Sequence, residues 1–346
     1  MDGAQNNLTK ADLLEMLKSD GKALEELYQH ADRIRSRSVG DEIFVRGIIE
    51  FSNECPNDCL YCGLRVSNEK IRRYAMSPDE IVAAAQSFRG SAQTTVVLQS
   101  GEHSPFGDEM LGDIVKRIKD STSLAVTLSV GNRSPEVYAY WKKCGMDRFL
   151  LRFETSDPEL FARIHPDCTL AERLGCLKAL RALDVQVGSG FMIGIPGESL
   201  SILAENILLC RELDLDMIGI GPFIPNPDTP LGGEQNAYQN DPEMFFKAIA
   251  ALRIFNPDAH IPATTAFDTV FPGKGRNLAL RRGANVFMPN CTPPEYRGDY
   301  QLYPGKPCVD ESVEDCAACT LMRLKALGRP LGKDPGDSVR KRRSSK

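Results

Sequence analysis

The chain has 346 residues, of which 42% are hydrophobic and 26% charged, and its formal net charge at pH 7 is -5. This length can bury one large core or two ordinary ones, and the composition is typical of a globular protein. An acidic balance, apolar stretches far shorter than the roughly 18 residues of a membrane span, and a polar N-terminus predict a cytoplasmic protein without a nucleic-acid or membrane partner.

The predicted elements begin with an N-terminal helical extension over residues 1–40, which carries a helix from Lys10 to about Arg35. From residue 41 onward, strand-like runs alternate with amphipathic helical segments. The helix at 77–88 opens with a capping serine and a proline at its first helical position. The eight strand candidates are "EIFVRGIIEF", "TTVVLQS", "LAVTLSV", "DRFLLRFE", "VQVGSGFMIGI", "DMIGIGPF", "HIPATTA" and "ANVFMP".

This alternation predicts an α/β fold. Strands that alternate with helices pair in parallel through right-handed crossovers, and eight such units close into a complete (β/α)8 TIM-type barrel. We place the barrel over residues 41–330. A doubly wound open sheet is the alternative, but no Gly-x-Gly-x-x-Gly turn follows the first strand. Residues 331–346, which end in "RKRRSSK", are predicted to form a disordered basic tail.

Cysteines are the strongest chemical signal. The chain has 11 of them, and in a reducing compartment this argues for metal ligation rather than disulfides. Cys55, Cys59 and Cys62 form a CxxxCxxC motif in "CPNDCLYC", directly after the first strand. Three thiolates hold three irons of a [4Fe–4S] cluster and leave the fourth iron with an open position. The alternative is a structural zinc ion completed by a distant Cys or His, which the spacing and the 4 histidines disfavour.

The motif resembles the signature of the radical S-adenosylmethionine (SAM) superfamily, in which CxxxCxxC follows the first strand of a βα barrel and an aromatic residue, here Tyr61, precedes the third cysteine. The resemblance implies that the open iron binds the amino and carboxylate groups of SAM and that an electron from the cluster cleaves SAM to a 5′-deoxyadenosyl radical. Cys55, Cys59 and Cys62 would then be catalytic as well as metal ligands. The glycine-rich "GSGFMIGIPGE" is similar to the segment that lies near the adenine and ribose.

Longer motifs narrow the resemblance and cover nearly the whole chain: "VRGIIEFSNECPNDCLYCGLR", "VVLQSGE", "GIGPFIPNPDTPL", "IPATTA", "GANVFMPN" and "YQLYPGKPC". Together they are similar to the HydE family of [FeFe]-hydrogenase maturases, which is related to methylornithine synthase and biotin synthase. The resemblance implies an enzyme that acts on an iron–carbonyl–cyanide–cysteine precursor, a small organometallic or amino-acid-derived substrate. Other hydrogenase maturases and a reductant protein such as ferredoxin or flavodoxin would be its partners.

A second group of cysteines, Cys308, Cys316 and Cys319, has the spacing CxxxxxxxCxxC within the barrel's C-terminal segment, residues 308–319. The resemblance implies a second, accessory iron–sulfur cluster there, since part of the HydE family has this spacing. The alternative is a group of surface thiols without a bound metal.

The resemblance also implies a set of SAM contacts. Glu154 would accept from the amine, and Arg173 would pair with the carboxylate as a fork. Taken alone, Arg173 is better explained as half of a helix-surface salt bridge, and the resemblance reverses this preference. The remaining implied contacts are Tyr61, Thr127, Ser129 and Met288.

The barrel rim predicts a substrate cavity beside SAM, because active sites of this fold lie at the C-terminal ends of the strands. Arg152 and the threonine pair Thr264–Thr265 would form an anion pocket, although threonines at this place also cap strand ends. The predicted cavity residues are Gln99, Ser100, Arg152, Thr264, Thr265, Tyr300 and Tyr303.

Two other functions remain as alternatives. A methylornithine synthase-like lysine mutase would need an acid deep in the cavity for the ammonium of lysine, whereas the HydE substrate need not have one. A non-enzymatic iron–sulfur cluster carrier would have no use for a SAM site.

Overall fold

A computed structural model describes residues 8–88, 91–102, 106–309 and 313–339, and for residues 313–317 the backbone alone. The strands are β1 Phe44–Ser52, β2 Gln93–Ser100, β3 Ala125–Ser129, β4 Arg148–Leu150, β5 Gln186–Ser189, β6 Met192–Ile193, β7 Met217–Ile218, β8 Gly221–Pro222, β9 Pro262–Ala263 and β10 Val286–Phe287. The helices are α1 Lys10–Lys18, α2 Gly21–Val39, α3 Pro78–Gln86, α4 Gly107–Ser121, α5 Pro135–Lys143, α6 Pro158–Ile164, α7 Leu170–Ala182, α8 Leu200–Glu212, α9 Met244–Phe255, α10 Thr265–Val270, α11 Gly275–Arg281, α12 Pro294–Arg297 and α13 Val313–Ala326.

Eight parallel strands form the barrel, in the order β7-β5-β4-β3-β2-β1-β10-β9. Its two ends meet where Met217 and His260 form a parallel bridge. There the Ile218 amide donates to the His260 carbonyl at 2.8 Å. The sheet therefore closes on itself, which confirms the complete (β/α)8 barrel and excludes the open sheet.

A short second sheet continues two barrel strands upward at the rim. β6 pairs in parallel with β8, so that the chain after β5 and the chain after β7 remain neighbours. Gly190 joins β5 to β6 with φ 151°, and a Cβ at this position would collide with the carbonyl of Gly219. The glycine-rich "GSG" therefore marks a kink that only glycine permits.

The capping signal at residue 77 is confirmed. The Ser77 hydroxyl accepts from the Glu80 amide at 3.3 Å, and the Glu80 carboxylate accepts from the Ser77 amide at 2.7 Å, with Pro78 in the first turn.

The N-terminal extension differs from the prediction. It contains two helices rather than one, because α1 ends at Lys18 and α2 begins at Gly21; α1 packs against α8 and α9, and α2 packs against α9.

The C-terminal segment corrects the predicted tail. Residues 331–339 were expected to be disordered, but Leu331 bridges Ile43, and the Asp337 carboxylate lies 2.8 Å from Arg148 Nη2. The Ser338 amide donates to Gln186 Oε1 at 2.8 Å. This segment crosses the end of the barrel where the strands begin and supplies hydrogen-bond partners to Arg148 and Gln186 inside the barrel. Residues 340–346 lie outside the described ranges.

The helices of the described ranges differ from membrane-spanning helices. In these ranges no helix combines the length and the apolar character that a crossing of the bilayer requires.

Candidate active site

The main cavity of the barrel opens at the C-terminal ends of the strands and has a volume of about 320 Å³. Its walls come from β1 to β4, the β6–β8 extension, the cysteine loop after β1 and the loop that follows β10. Of the residues predicted from the sequence, the cavity brings together Cys55, Cys59, Tyr61, Cys62, Gln99, Ser100, Ser129, Arg152, Glu154, Arg173, Thr264, Thr265, Met288, Tyr300 and Tyr303.

The cysteine loop is held against the rim by backbone hydrogen bonds. The Leu60 amide donates to the Ile164 carbonyl, and the Gly63 amide donates to the Leu302 carbonyl, each at 2.9 Å. Cys59 is buried and Cys55 and Cys62 are partly buried, and all three thiols line the same cavity. The three thiols therefore share one wall of the cavity.

The electrostatics of these thiols fit a bound metal. Burial raises the pKa of Cys62 to about 12 and also raises the pKa values of Cys55 and Cys59. A metal that binds these thiols would favour their deprotonated form and so offset the effect of burial. Among the described residues, no three His, Cys, Asp or Glu side chains converge on a single-ion site. Three thiols on one cavity wall fit three irons of a polynuclear cluster that keeps one open position.

Glu154 presents a carboxylate oxygen with no partner. Its backbone has φ 63°, an uncommon conformation for a residue other than glycine, and its amide donates to the Gly190 carbonyl at 3.1 Å. One carboxylate oxygen accepts from Arg152 Nε at 3.1 Å. The other, Oε2, is buried and has no hydrogen-bond partner within the described part of the chain. Such an oxygen fits the amino group of a ligand.

Arg173 is buried with 5% exposure, so it is not part of a surface salt bridge. Its Nη2 lies 2.9 Å from His165 Nε2 and 3.6 Å from Glu102 Oε2. Its Nε has no partner among the described residues. Burial and the Arg173 charge lower the pKa of His165 to about 4, so the imidazole is neutral and accepts from the guanidinium. Arg173 thus keeps donor capacity that fits a carboxylate.

The substrate side of the cavity has two further fixed polar groups. Gln99 Nε2 donates to the Tyr300 hydroxyl at 3.2 Å. The Thr264 hydroxyl donates to the Ile220 carbonyl at 2.9 Å and makes no capping bond to α10, although Thr264 precedes that helix. Arg152 forms an ion pair with Glu154, and both residues belong to the segment that follows β4.

Thr127 is the one predicted SAM contact that lies elsewhere. It is buried at the opposite end of the barrel and lines a small void together with Arg46 and Arg148, and its hydroxyl has no partner among the described residues. Thr127 and Ser129 both point into the barrel, but alternate residues of a strand lie about 7 Å apart along it. Only Ser129 reaches the cavity, so the expectation for Thr127 is corrected.

Sequence reasoning missed an ion pair in the cavity wall. Glu50 from β1 and Lys306 from the loop between α12 and α13 form a salt bridge, and their side chains are 5% and 7% exposed. An acid at an inward position of an apolar strand was a usable signal for Glu50. Lys306 had none, because its loop has no periodicity. The prediction also left out His165 and Glu102, which surround Arg173.

Of the second group of cysteines, Cys316 and Cys319 lie in α13, and Cys308 lies in the loop before this helix. Cys308 and Cys319 are partly buried, whereas the side chain of Cys316 lies outside the described residues. Arg323 anchors α13 to the barrel through two hydrogen bonds to Asp268, of 2.6 and 3.0 Å. An accessory cluster at this place therefore stays a prediction.

Comparison with known proteins places this site in a class. The sequence profile of the radical SAM superfamily matches residues 49–210. The chain belongs to this superfamily, and it is an enzyme whose cofactors are a [4Fe–4S] cluster and SAM. Within the superfamily it belongs to the family of the [FeFe] hydrogenase maturase subunit HydE. It is 46% identical over 337 residues to the Thermotoga maritima protein of that name, which covers 97% of this chain and 95% of the relative.

Other relatives are more distant. The 3-methylornithine synthase of Methanosarcina barkeri is 27% identical over 294 residues, 83% of this chain and 81% of its own. Among solved structures, methylornithine synthase PylB superposes with a TM-score of 0.82 at 24% identity, covering 95% of this chain and 96% of its own. The maturase HydG from Carboxydothermus hydrogenoformans has a TM-score of 0.78 at 21% identity, covering 92% and 75%. These two structures confirm the fold.

Proposed function

We propose that this chain is an [FeFe]-hydrogenase maturase of the HydE type, which cleaves SAM reductively and acts on an iron–carbonyl–cyanide–cysteine precursor of the hydrogenase active-site cluster. The observation that carries the proposal is the joining of three thiols, the free oxygen of Glu154 and the buried guanidinium of Arg173 in one cavity. The similarity to HydE, 46% identity over 97% of this chain, supports the choice of substrate class.

The chain's residues divide the work of binding. Cys55, Cys59 and Cys62 hold three irons of the cluster, which when bound supplies the electron for SAM cleavage. Glu154 Oε2 accepts from the SAM amine, and Arg173 donates to the SAM carboxylate. The remaining proposed SAM contacts are Tyr61, Ser129 and Met288. The contact between Arg173 and His165 would hold the guanidinium in position for the SAM carboxylate.

The other end of the cavity holds the substrate. Gln99, Ser100, Arg152, Tyr300 and Tyr303 supply polar contacts there, together with Thr264 and Thr265. Most of the exposed wall is apolar, which excludes water and stray hydrogen donors from a reactive intermediate. We further propose that other hydrogenase maturases exchange the precursor and product with this protein and that a ferredoxin or flavodoxin delivers the electron.

The lysine-mutase alternative requires an unoccupied acid for the ammonium of lysine. The cavity does contain a deep acid, Glu50, but the chain's own Lys306 ammonium already pairs with it. A substrate ammonium would therefore have to displace a tethered one, which disfavours this alternative. The carrier alternative is disfavoured because a carrier needs neither Glu154 nor a buried Arg173.

The test is anaerobic reconstitution with iron and sulfide, reduction, and measurement of 5′-deoxyadenosine formed from SAM. We expect formation of this product, and faster formation when a synthetic iron–carbonyl–cyanide–cysteine complex is added than when lysine is added. A reconstituted, reduced protein that neither binds SAM nor forms the product would contradict the enzyme class. Stimulation by lysine alone would contradict the maturase assignment and favour the mutase.

A further inference from the structure

The Glu50–Lys306 pair is assembled from two distant parts of the chain. Lys306 Nζ bonds to Glu50 Oε1, lies 3.3 Å from the Tyr300 carbonyl and sits 5.0 Å from the centre of the Tyr300 ring. A carboxylate, a carbonyl and an aromatic face are the three groups that recognise an ammonium ion in proteins. The surroundings of Nζ thus form a complete ammonium-binding site, and the chain fills it itself.

The carboxylate half of this site is rigid. The Glu50 amide donates to the Thr292 hydroxyl at 2.8 Å, and Glu50 Oε2 accepts from Asn290 Nδ2 at 3.0 Å. Glu50 lies within β1, which pairs with a strand on each side. The acid would therefore keep its position if the lysine were shortened.

The lysine half is different in character. Lys306 lies in the loop between α12 and α13, and its ammonium ends a flexible four-carbon stem. A buried carboxylate that loses its partner carries a large electrostatic penalty, which binding of a proton or of another cation relieves. Shortening Lys306 would therefore leave a cavity beside the Glu50 carboxylate, with the size and shape of the deleted lysine side chain.

We propose that Lys306 is a specificity-determining residue: a tethered ammonium that fills an amine-recognition site in the cavity and so excludes substrates with a primary ammonium group. The ligand class that the emptied site would take is the primary alkylammonium ions. The inference rests on the proposed use of this cavity for substrate. It explains how this barrel, whose fold resembles that of methylornithine synthase, can contain the buried acid Glu50 without binding a substrate amine there.

The test replaces Lys306 with alanine and measures binding of n-propylammonium, which has the size and charge of the deleted atoms. Anaerobic titration calorimetry on the cluster-loaded protein at fixed pH is suitable, because it needs no turnover. We expect the Lys306→Ala variant to bind n-propylammonium at least about tenfold more tightly than the unmodified protein, which corresponds to about 1.4 kcal/mol. 1-Propanol, which has the same size but no charge, should show no such gain.

Three variants serve as controls. Lys306→Arg keeps a cation beside Glu50 and should gain no affinity. The double variant Glu50→Gln, Lys306→Ala lacks the carboxylate and should lose the gain. Lys70→Ala removes an exposed lysine that pairs with Asp228 at the surface and should behave as the unmodified protein.

Equal affinity for the amine in Lys306→Ala and the unmodified protein would overturn the inference, and so would a gain that survives in the double variant. If Lys306→Ala does not fold by itself, its refolding yield in n-propylammonium is compared with that in 1-propanol. Rescue by the amine alone supports the proposal, and no rescue contradicts it. Failure of this test would leave SAM cleavage by the unmodified protein intact, so it is distinguishable from failure of the proposed function.

Discussion

Arg173 Nη2 and His165 Nε2 lie 2.9 Å apart, and the imidazole ring stacks on Phe161 with 5.3 Å between ring centres and 5° between planes. A guanidinium is always a donor, so His165 must be the acceptor and must be neutral. His165 is therefore a positioning residue, which holds the proposed SAM-carboxylate ligand through one hydrogen bond and one ring contact.

The neutral state of His165 predicts a pH dependence of stability. Its pKa is about 4 in the folded protein, whereas an unfolded histidine has a pKa near 6.5. Between these values the unfolded state binds more protons, so the free energy of unfolding falls as the pH drops from 6.5 toward 4. The free energy of unfolding of the unmodified protein should fall between pH 7 and pH 5 through protonation of His165 in the unfolded state. Because the His165→Gln variant lacks this group, its free energy of unfolding should fall by about 1–2 kcal/mol less over the same interval. Urea unfolding at the two pH values measures this, and equal losses would contradict it.

The same pair predicts a difference between two substitutions in SAM affinity. Glutamine at position 165 can still accept from Arg173, but phenylalanine cannot and leaves a buried guanidinium N–H without a partner. We expect His165→Gln to stay close to the unmodified protein in its Kd for SAM, and His165→Phe to weaken it about tenfold, or about 1.4 kcal/mol. Equilibrium binding to the reconstituted protein measures both. Weakening by His165→Gln but not by His165→Phe would show that ring packing, rather than the hydrogen bond, positions Arg173, and equal weakening by the two variants would also contradict the prediction.

Gly101 predicts a steric limit on the cysteine loop. A Cβ at this position would collide with the Glu54 carbonyl and lie 2.7 Å from the Cys55 Cβ. Gly101→Ala should therefore displace Cys55 and reduce cluster incorporation several-fold, measured as iron and sulfide per chain after reconstitution. Gly175→Ala is the matched control, since nothing lies within 4 Å of the added Cβ there. A helical site of this kind should gain about 0.5–1 kcal/mol of stability.

The two groups of cysteines predict opposite effects on SAM cleavage. Cys59→Ala removes one of three proposed iron ligands and should abolish 5′-deoxyadenosine formation. Cys316→Ala, in the second group, should leave most of the activity, because no catalytic step is assigned to that group. Cys210→Ala is a suitable control, because Cys210 is buried in α8 outside both groups, and it should not abolish formation of 5′-deoxyadenosine. Loss of activity in both variants would make the second group functional.

The C-terminal segment predicts a cost for neutralising Asp337. Its carboxylate bonds to Arg148 Nη2 and Gln186 Nε2, each at 2.8 Å, and the Arg148 side chain is 4% exposed. Asp337→Asn leaves Arg148 buried without its ion-pair partner. Because Asp337 itself is about a third exposed, we expect a loss of about 1–3 kcal/mol in the free energy of unfolding. Asp79→Asn, at a surface pair with Arg117, should cost little in the same denaturation experiment.

Much of the fold followed from local signals. The alternation of strands and helices is a property of nearest neighbours in the sequence, and it predicted every barrel strand and the start of α3. The tail from residue 331 did not follow, because its order depends on Arg148 and Gln186, which are remote in sequence. A basic, polar composition gives no warning of such partners.

The sequence by itself determined the class of chemistry. Cys55, Cys59 and Cys62 lie within one short loop, so their number and spacing can be read without knowledge of the fold. Tertiary structure alone decided the depth of each inward residue, which separated Thr127 from Ser129. It also decided the pairing of Glu50 with Lys306, 256 residues apart. Motifs report contacts within a loop or along a strand, whereas the charge and selectivity of a cavity arise where the barrel closes and brings distant segments together.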